Sequence, residues 1–256
     1  YKRQIATRLA GLGMRVCLAD INEEKLQQSA AAIEGALACV TDVSKLEEVR
    51  RLKKRLYQEW GQVDLLLNNA GSGFGTASWT EYDNWQKTLA VNLNGVINGI
   101  HIFVPAMLEQ GRAGLVINTG SKQGITNPPG DPAYNVSKAA VKVLTEQLQH
   151  SFRSTEGCQL SAHLLVPGFT YSGLVAQFLP EKPAEAWTCE QVADFMLQSL
   201  ADNDFYMLCP DNDATRDKDN KRMAWSMGDL VENRPALSRW HPDYAAAFER
   251  YMAEED

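Results

Sequence analysis

The feature that most constrains this chain is the alternation of short apolar runs with longer amphipathic stretches. RVCLAD, LACVTD, VDLLLNN, GLVINTG, SAHLLVPG and FYMLCP read as strands, and helical patterns separate them. That order predicts a parallel sheet with helices over both faces, because parallel neighbours need a crossover long enough to hold a helix. VDLLLNN and GLVINTG are apolar almost throughout, as strands buried on both faces must be. Right-handed crossovers then give a Rossmann-like, doubly wound α/β sheet.

Helix starts are legible at Asn22 before EEKLQQSAAAI, at Ser44 with Glu47 three residues on as a capping box, and at Thr80 or Glu81 before a long run ending near Gly111. Gly61 reads as a helix stop. With 256 residues, 45% hydrophobic and 22% charged, the chain suits one large core. From Pro210 the pattern changes to a polar stretch and an aromatic-rich tail, so 1–210 reads as the main domain and 211–256 as a helical extension packed on it.

A net charge of -7 without any run of Lys or Arg argues against nucleic-acid and anionic-membrane partners, whose surfaces require a positive field. No stretch of roughly 18 uninterrupted apolar residues offers a membrane span, and YKRQIATRLAG lacks the apolar core of a secretory signal. The five cysteines form no CxxC pair and read as buried, reduced thiols. These features together point to the cytoplasm. His101, His150, His163 and His241 show no metal-ligand spacing, so no catalytic metal is expected.

Tyr134 and Lys138 lie four apart in AYNVSKAAVKVLTEQL, a segment of helical periodicity, so both project from one face of one helix. An ammonium beside a phenol, joined by the positive ring of an oxidised nicotinamide, would lower the phenol's pKa and let it take and return a proton. Ser121 ends the strand GLVINTG, and ligands of open parallel sheets bind at the carboxyl ends of strands. Its hydroxyl could hold a substrate oxygen.

These residues resemble the short-chain dehydrogenase/reductase family over nearly the whole chain. The matching motifs are NNAG at Asn68 to Gly71, VNLNG around Asn92, Ser121 thirteen residues before Tyr134, the Tyr-x-x-x-Lys pair, and Pro167-Gly168 after the next strand. The resemblance implies that Asn92, Ser121, Tyr134 and Lys138 are catalytic, with Asn92 holding a water that links the lysine to solvent. It also implies that Tyr134 and Lys138 bind the nicotinamide end of the cofactor with Pro167, Gly168, Thr170 and Ser172. Asn69, Ala70 and Gly71 would lie along the adenosine half, Asn69 bracing the sheet, with Asp42 and Val43 at the adenine.

Asp20 ends RVCLAD, where a carboxylate accepts hydrogen bonds from the adenosine ribose. A ribose 2'-phosphate would meet a like charge there, and Ile21, Asn22 and Glu23 offer no offsetting cation. NAD is therefore expected ahead of NADP. The family's TGxxxGxG phosphate loop is not found in these residues. RQIATRLAGLGMRVCLAD resembles the first helix and second strand that follow it, so the expectation is that further residues precede Tyr1, with Tyr1 and Lys2 remnants of the first strand.

FTYSGLVAQFLPEKPAEAW resembles the family's variable lid, bringing Phe169, Tyr171, Leu174 and Phe178 to the substrate, while Phe74, Gln123 and Ile125 face the same mouth. Ser121, Gln123, Tyr134, Phe169 and Tyr171 are the expected substrate contacts, in an apolar or aromatic pocket. VNLNGVINGIHIFVPAMLEQG resembles the helix of bacterial aryl-ether Cα-dehydrogenases, which oxidise benzylic secondary alcohols. The reading is an NAD-dependent oxidoreductase of secondary alcohols or ketones. A non-catalytic dinucleotide-binding sensor or scaffold is the alternative, and a nucleotide-sugar epimerase would need a longer chain. The resemblance further implies a homodimer or homotetramer paired through the helices carrying Asn92 and Tyr134, with Val96, Ile100, Val104, Met107, Val141, Leu144 and Leu148 on their apolar faces.

Overall fold

The computed structural model describes residues 2–173, 175–177 and 179–254. Helix α1 (Lys2–Gly11) leads into β1 (Cys17–Asp20), α2 (Glu23–Ala31), β2 (Leu37–Val40), α3 (Leu46–Trp60) and β3 (Leu65–Asn68). Next come α4 (Tyr82–Leu89), a π-helical segment (Ala90–Asn94) and α5 (Gly95–Glu109), continuous as one helix. The chain goes on through β4 (Gly114–Thr119), α6 (Gln123–Thr126), α7 (Pro132–Ser154), β5 (Leu160–Val166), α8 (Cys189–Ala201) and β6 (Tyr206–Leu208). It ends with α9 (Arg216–Val231) and α10 (Ala245–Ala253).

Every strand pair is parallel. Because side chains alternate across a strand, Val116 of β4 packs with Phe103, Val104 and Met107 of α5, while its neighbour Ile117 meets Ile5 and Leu9 of α1 and Val192 and Met196 of α8. Leu164 and Leu165 of β5 divide in the same way between α7 and α8. Each such fully buried side chain contributes about 1.5–3 kcal/mol. The architecture is the doubly wound parallel α/β form with helices on both faces.

The strands form two hydrogen-bonded sheets, β1-β2 and β3-β4-β5-β6, where one sheet was expected. Between the edges of β1 and β3 lies an apolar cleft of about 210 Å³, lined by Val16, Leu18, Leu65 and Leu67 with Ile5 and Phe103 closing its sides. Lys2, expected as the end of a strand, lies in the first turn of α1. Tyr1 is outside the described residues.

Local signals performed unevenly. Asn22 caps α2 by accepting the Lys25 N–H, and Gly61 ends α3 at φ 74°. The Ser44–Glu47 capping box does not form. Lys45 is the cap residue of α3; Ser44 donates instead to Asp42 Oδ1, and Glu48 rather than Glu47 reaches back, to the Asp42 N–H. A competing Asx turn at Asp42 has captured the serine.

The helix Tyr82–Glu109 is long and apolar enough to cross a membrane by length and composition alone. It is a core helix here, burying Val96, Gly99, Phe103, Val104 and Met107. This corrects the expected pairing face: Val96, Val104, Met107 and Val141 are inside the protomer, and Ile100, Leu144 and Leu148 pack partly buried against the same cores. Helical periodicity identifies an apolar stripe but not which neighbour covers it. Of the five free cysteines only Cys209 is buried, and the other four are partly exposed, contrary to the expectation of uniformly buried thiols.

Candidate active site

The ends of β1, β3, β4 and β5 carry Asp20, Asn68, Thr119 and Val166. The expected site residues Asn69 to Gly71, Ser121, Pro167 and Gly168 follow these ends directly, and Asp42 and Val43 follow β2. They therefore share the carboxyl rim of the parallel strands, where the unpaired strand ends and the first turns of following helices present polar backbone.

Helix α7 brings Tyr134 and Lys138 to this rim, and Pro132 in its first turn pre-sets the backbone angle there. The Tyr134 phenol stands close enough to the Ser121 side chain to feel it. Burial pushes the phenol up from its ordinary value; Ser121 opposes the rise and the Asp131 carboxylate adds to it. Lys138 is 4% exposed, and burial lowers its ammonium to about 8. Its Nζ donates to the Thr119 carbonyl at 2.8 Å and sits 5.8 Å from the Tyr134 ring centroid. Burial is the largest influence on Tyr134 in the protein alone, and the expected lowering calls on the positive ring of an oxidised nicotinamide beside Lys138.

Asn92 falls in the π-helical segment, fully buried. Its Oδ1 accepts the Ser72 N–H at 2.8 Å, and its Nδ2 donates to Ser72 O and to Ser137 Oγ. A widened π turn aims a side chain out of the α-helical register and is a recurrent device at functional sites. Gly71 is where the elements meet: a Cβ there would lie 3.5 Å from both Asn92 Oδ1 and Lys138 Nζ.

A polar chain that sequence reasoning missed supports this rim. Asn68 Nδ2 donates to Asn118 Oδ1 across β3 and β4, and Asn118 Nδ2 donates to Thr145 Oγ1 on α7. Asn69 Oδ1 accepts the Thr119 hydroxyl at 3.1 Å, bracing the sheet. The signal was present, since asparagines ended otherwise apolar strands. Asp131 and Thr76 were also passed over. Thr76 Oγ1 donates to Asp131 and accepts the Ala133 N–H, tying the loop after β3 to the start of α7.

At the cofactor side, Asp20 accepts the Asn22 N–H and pairs with Lys2. Burial acts to raise the carboxyl, but Lys2 and backbone N–H groups outweigh it and hold it below the ordinary range. No cation follows Asp20 along the chain, but the fold brings one in from α1, Lys2. Asp42 Oδ1 is engaged by Ser44, and Val43 packs on Gly95 while its carbonyl accepts Asn98 Nδ2. Ala70 lies between Asn69 and Gly71 in the same turn.

On the substrate side, Gln123 is exposed at the start of α6, and Phe169 is 38% exposed. Tyr171 turns its hydroxyl to the Leu179 and Pro180 carbonyls, fastening the loop to itself. Thr170 is buried and bridges to Trp187, and the Ser172 N–H donates to Thr170 O. Leu174 and Phe178 lie outside the described residues. Ser121, Tyr134, Lys138, Asn92 and Gly71 come together; Asp20 and Asp42 stand apart from them along the rim.

These residues fit a nicotinamide dinucleotide at its two riboses. A buried ammonium and a phenol stand at one end and a carboxylate with an exposed edge at the other. Among the described residues no group of three or more His, Cys, Asp or Glu is arranged to hold a metal ion.

The family model described as short chain dehydrogenase matches residues 3–183. A 3beta-hydroxysteroid dehydrogenase 2 from Eggerthella lenta is 33% identical over 178 residues, covering 67% of each chain. A short chain dehydrogenase/reductase from Burkholderia phymatum, solved in complex with NAD, is 29% identical with a TM-score of 0.82, covering 91% of this chain and 90% of that one. An alcohol dehydrogenase from the archaeon Thermococcus sibiricus, complexed with 5-hydroxy-NADP, is 24% identical with a TM-score of 0.69, over 77% and 84% of the two chains.

Proposed function

We propose, from the premise that this chain belongs to the short-chain dehydrogenase family, that it transfers hydride between NAD and an apolar or aromatic secondary alcohol or ketone, with Tyr134 as acid and base. Family membership makes the chain an oxidoreductase acting on an alcohol or ketone. The observation that carries the finer reading is the meeting of Ser121, Tyr134 and Lys138 at the strand ends.

In ketone reduction the Tyr134 hydroxyl gives its proton to the carbonyl oxygen. In alcohol oxidation the phenolate takes the proton back. Ser121 holds that oxygen in reach, and the raised Tyr134 keeps the proton donor intact near neutral pH. The nicotinamide, when bound, supplies or accepts the hydride. Lys138 would hold the ribose hydroxyls beside it, and Lys138 with Asn92 would lead a proton through water back to Tyr134.

The Burkholderia protein, solved in complex with NAD, supports a nicotinamide dinucleotide in general. The preference for NAD rests on Asp20, whose carboxylate would repel a 2'-phosphate despite its Lys2 partner. Asn69, Ala70 and Gly71 would flank the adenosine half, with Asp42 and Val43 at the adenine. Pro167, Gly168, Thr170 and Ser172 would hold the nicotinamide. Phe169, Tyr171 and Gln123 would wall the substrate pocket.

The test is NAD reduction against a panel of apolar secondary alcohols, beside NADP, with Tyr134→Phe. The variant is expected to lose at least about 100-fold in turnover while NADH affinity changes less than about twofold. Turnover equal to the parent enzyme would remove Tyr134 from the mechanism, whereas a parent protein that binds NADH and turns over nothing in the panel would leave a dinucleotide-binding sensor as the better reading.

A further inference from the structure

Lys122 directly follows Ser121, yet its side chain turns away from the Tyr134 helix into a buried acidic pocket. Its Nζ lies 3.1 Å from Asp211 Oδ2 and 2.5 Å from Asp219 Oδ2, with side-chain exposures of 17%, 9% and 6% for the three residues. Asp211 is itself fixed. Its Oδ1 accepts the Ala214 N–H at 2.7 Å and the Asp213 N–H at 3.2 Å, and its Oδ2 accepts the Phe169 N–H at 3.2 Å. Asp219 stands on α9, and its Oδ2 makes no aligned hydrogen bond, so the ion pair with Lys122 is its hold on the cluster.

The cluster reaches two parts of the candidate site at once. Ser121 Oγ accepts the Gln123 N–H, so the backbone on either side of Lys122 sets the position of the serine hydroxyl. At the other end, a Cβ on Gly168 would fall 2.7 Å from Asp211 Oδ2 and 2.9 Å from Lys122 Nζ. A side chain at 168 would therefore press on the ion pair, whose charged ends would have to shift to admit it. Charges buried to this degree cost desolvation that their attraction only partly returns. Arg222 and Arg239 also face Asp219 from the tail.

We propose that α9 is a positioning brace for the reaction: Asp219 and Asp211 hold Lys122, and through it they fix Ser121 and the Phe169 amide that begins the substrate-side loop. Lys122, Asp211 and Asp219 are positioning residues and touch neither cofactor nor substrate. The proposal rests on the oxidoreductase reading above. It gives the segment after Pro210 a role in catalysis, although none of the expected catalytic or binding residues lies there.

The experiment compares Asp219→Asn, Asp219→Glu and Lys122→Gln in the full chain, by amide hydrogen exchange and by steady-state ketone reduction. Asp219→Asn keeps the shape and removes the charge. Lys122→Gln leaves two carboxylates, one of which burial already pushes up toward protonation, so a second route remains if the first variant folds poorly. The expected result is faster exchange in both the 120–124 and 168–172 segments. With it, kcat should fall about tenfold, the KM for NADH should stay within twofold, and Asp219→Glu should recover part of the loss. Unchanged exchange in either segment overturns the brace, and so does faster exchange with kcat intact. Parent protein that turns over no alcohol or ketone while the exchange difference is present overturns the oxidoreductase reading and leaves the brace as a structural link.

Discussion

A buried ammonium subtracts stability unless its surroundings repay the lost hydration. Lys138 has one acceptor among the described residues, the Thr119 carbonyl, and a pKa lowered by burial to about 8 from 10.5. Below about pH 8 both folded and unfolded chains carry the charge, and the folded state bears the full penalty. As pH rises from about 8 towards 10.5 the folded group loses its proton first, and stability increases. Lys138→Met should therefore be more stable than the parent at pH 7, by about 2 kcal/mol after allowing for the lost hydrogen bond. The gap should close as the pH rises past 9. Thermal melts at pH 7 and 9.5 check this, and a variant less stable than the parent at pH 7 would refute it. The same group is exposed to a cofactor ribose in the proposed reaction, so stability is spent where binding uses it.

At the scale of elements, the decisive contact is α6 against α7. A Cβ on Gly124 would lie 2.5 Å from the Lys138 carbonyl carbon and 2.7 Å from the Ala139 nitrogen, both backbone atoms that cannot rotate aside. Gly124→Ala should cost about 1–3 kcal/mol through forced separation of the two helices. It should also lower turnover, since Ser121 and Tyr134 belong to the segments being separated. Denaturant unfolding together with kcat reads both, and a stable, fully active variant would show that the helices yield without consequence. The helix bearing Tyr134 and Lys138 was legible in the sequence because a four-residue spacing needs only local geometry. Asn22 and Gly61 were legible for the same reason. The Ser44–Glu47 box was not, because two local hydrogen-bonding patterns competed and the choice turned on Asp42. Lys138 pairing with Thr119 O, and Lys2 reaching Asp20, join residues 19 and 18 positions apart through tertiary packing. No periodicity encodes such contacts.

For the whole molecule, the order of strands followed from alternation, but their division into two sheets did not, since apolar runs specify burial and not partner. Association behaves likewise. The large apolar side chains left exposed on α5 and α7 are Ile97 and Leu108 on α5 and Val136 and Val143 on α7, at 42%, 39%, 49% and 54%. We propose that these, rather than the buried stripe, pair copies of the chain about a two-fold axis. Val136→Glu with Val143→Glu, seven apart and on one helical face, should shift the sedimenting species to a monomer. A parent protein that already sediments as a monomer would remove the proposal. The π-helical turn at Ala90–Asn94 also has a consequence at this scale. It places one extra residue inside a 28-residue rod, because a π turn closes its hydrogen bonds one residue further along than an α turn does. Deleting one residue there would let the rod relax to uniform α pitch with the half beyond it near its present rotational phase. Phe103 and Met107 would then keep their seat on the sheet while Asn92 lost its displacement from the helical register, so the core would survive a change that removes the chemistry.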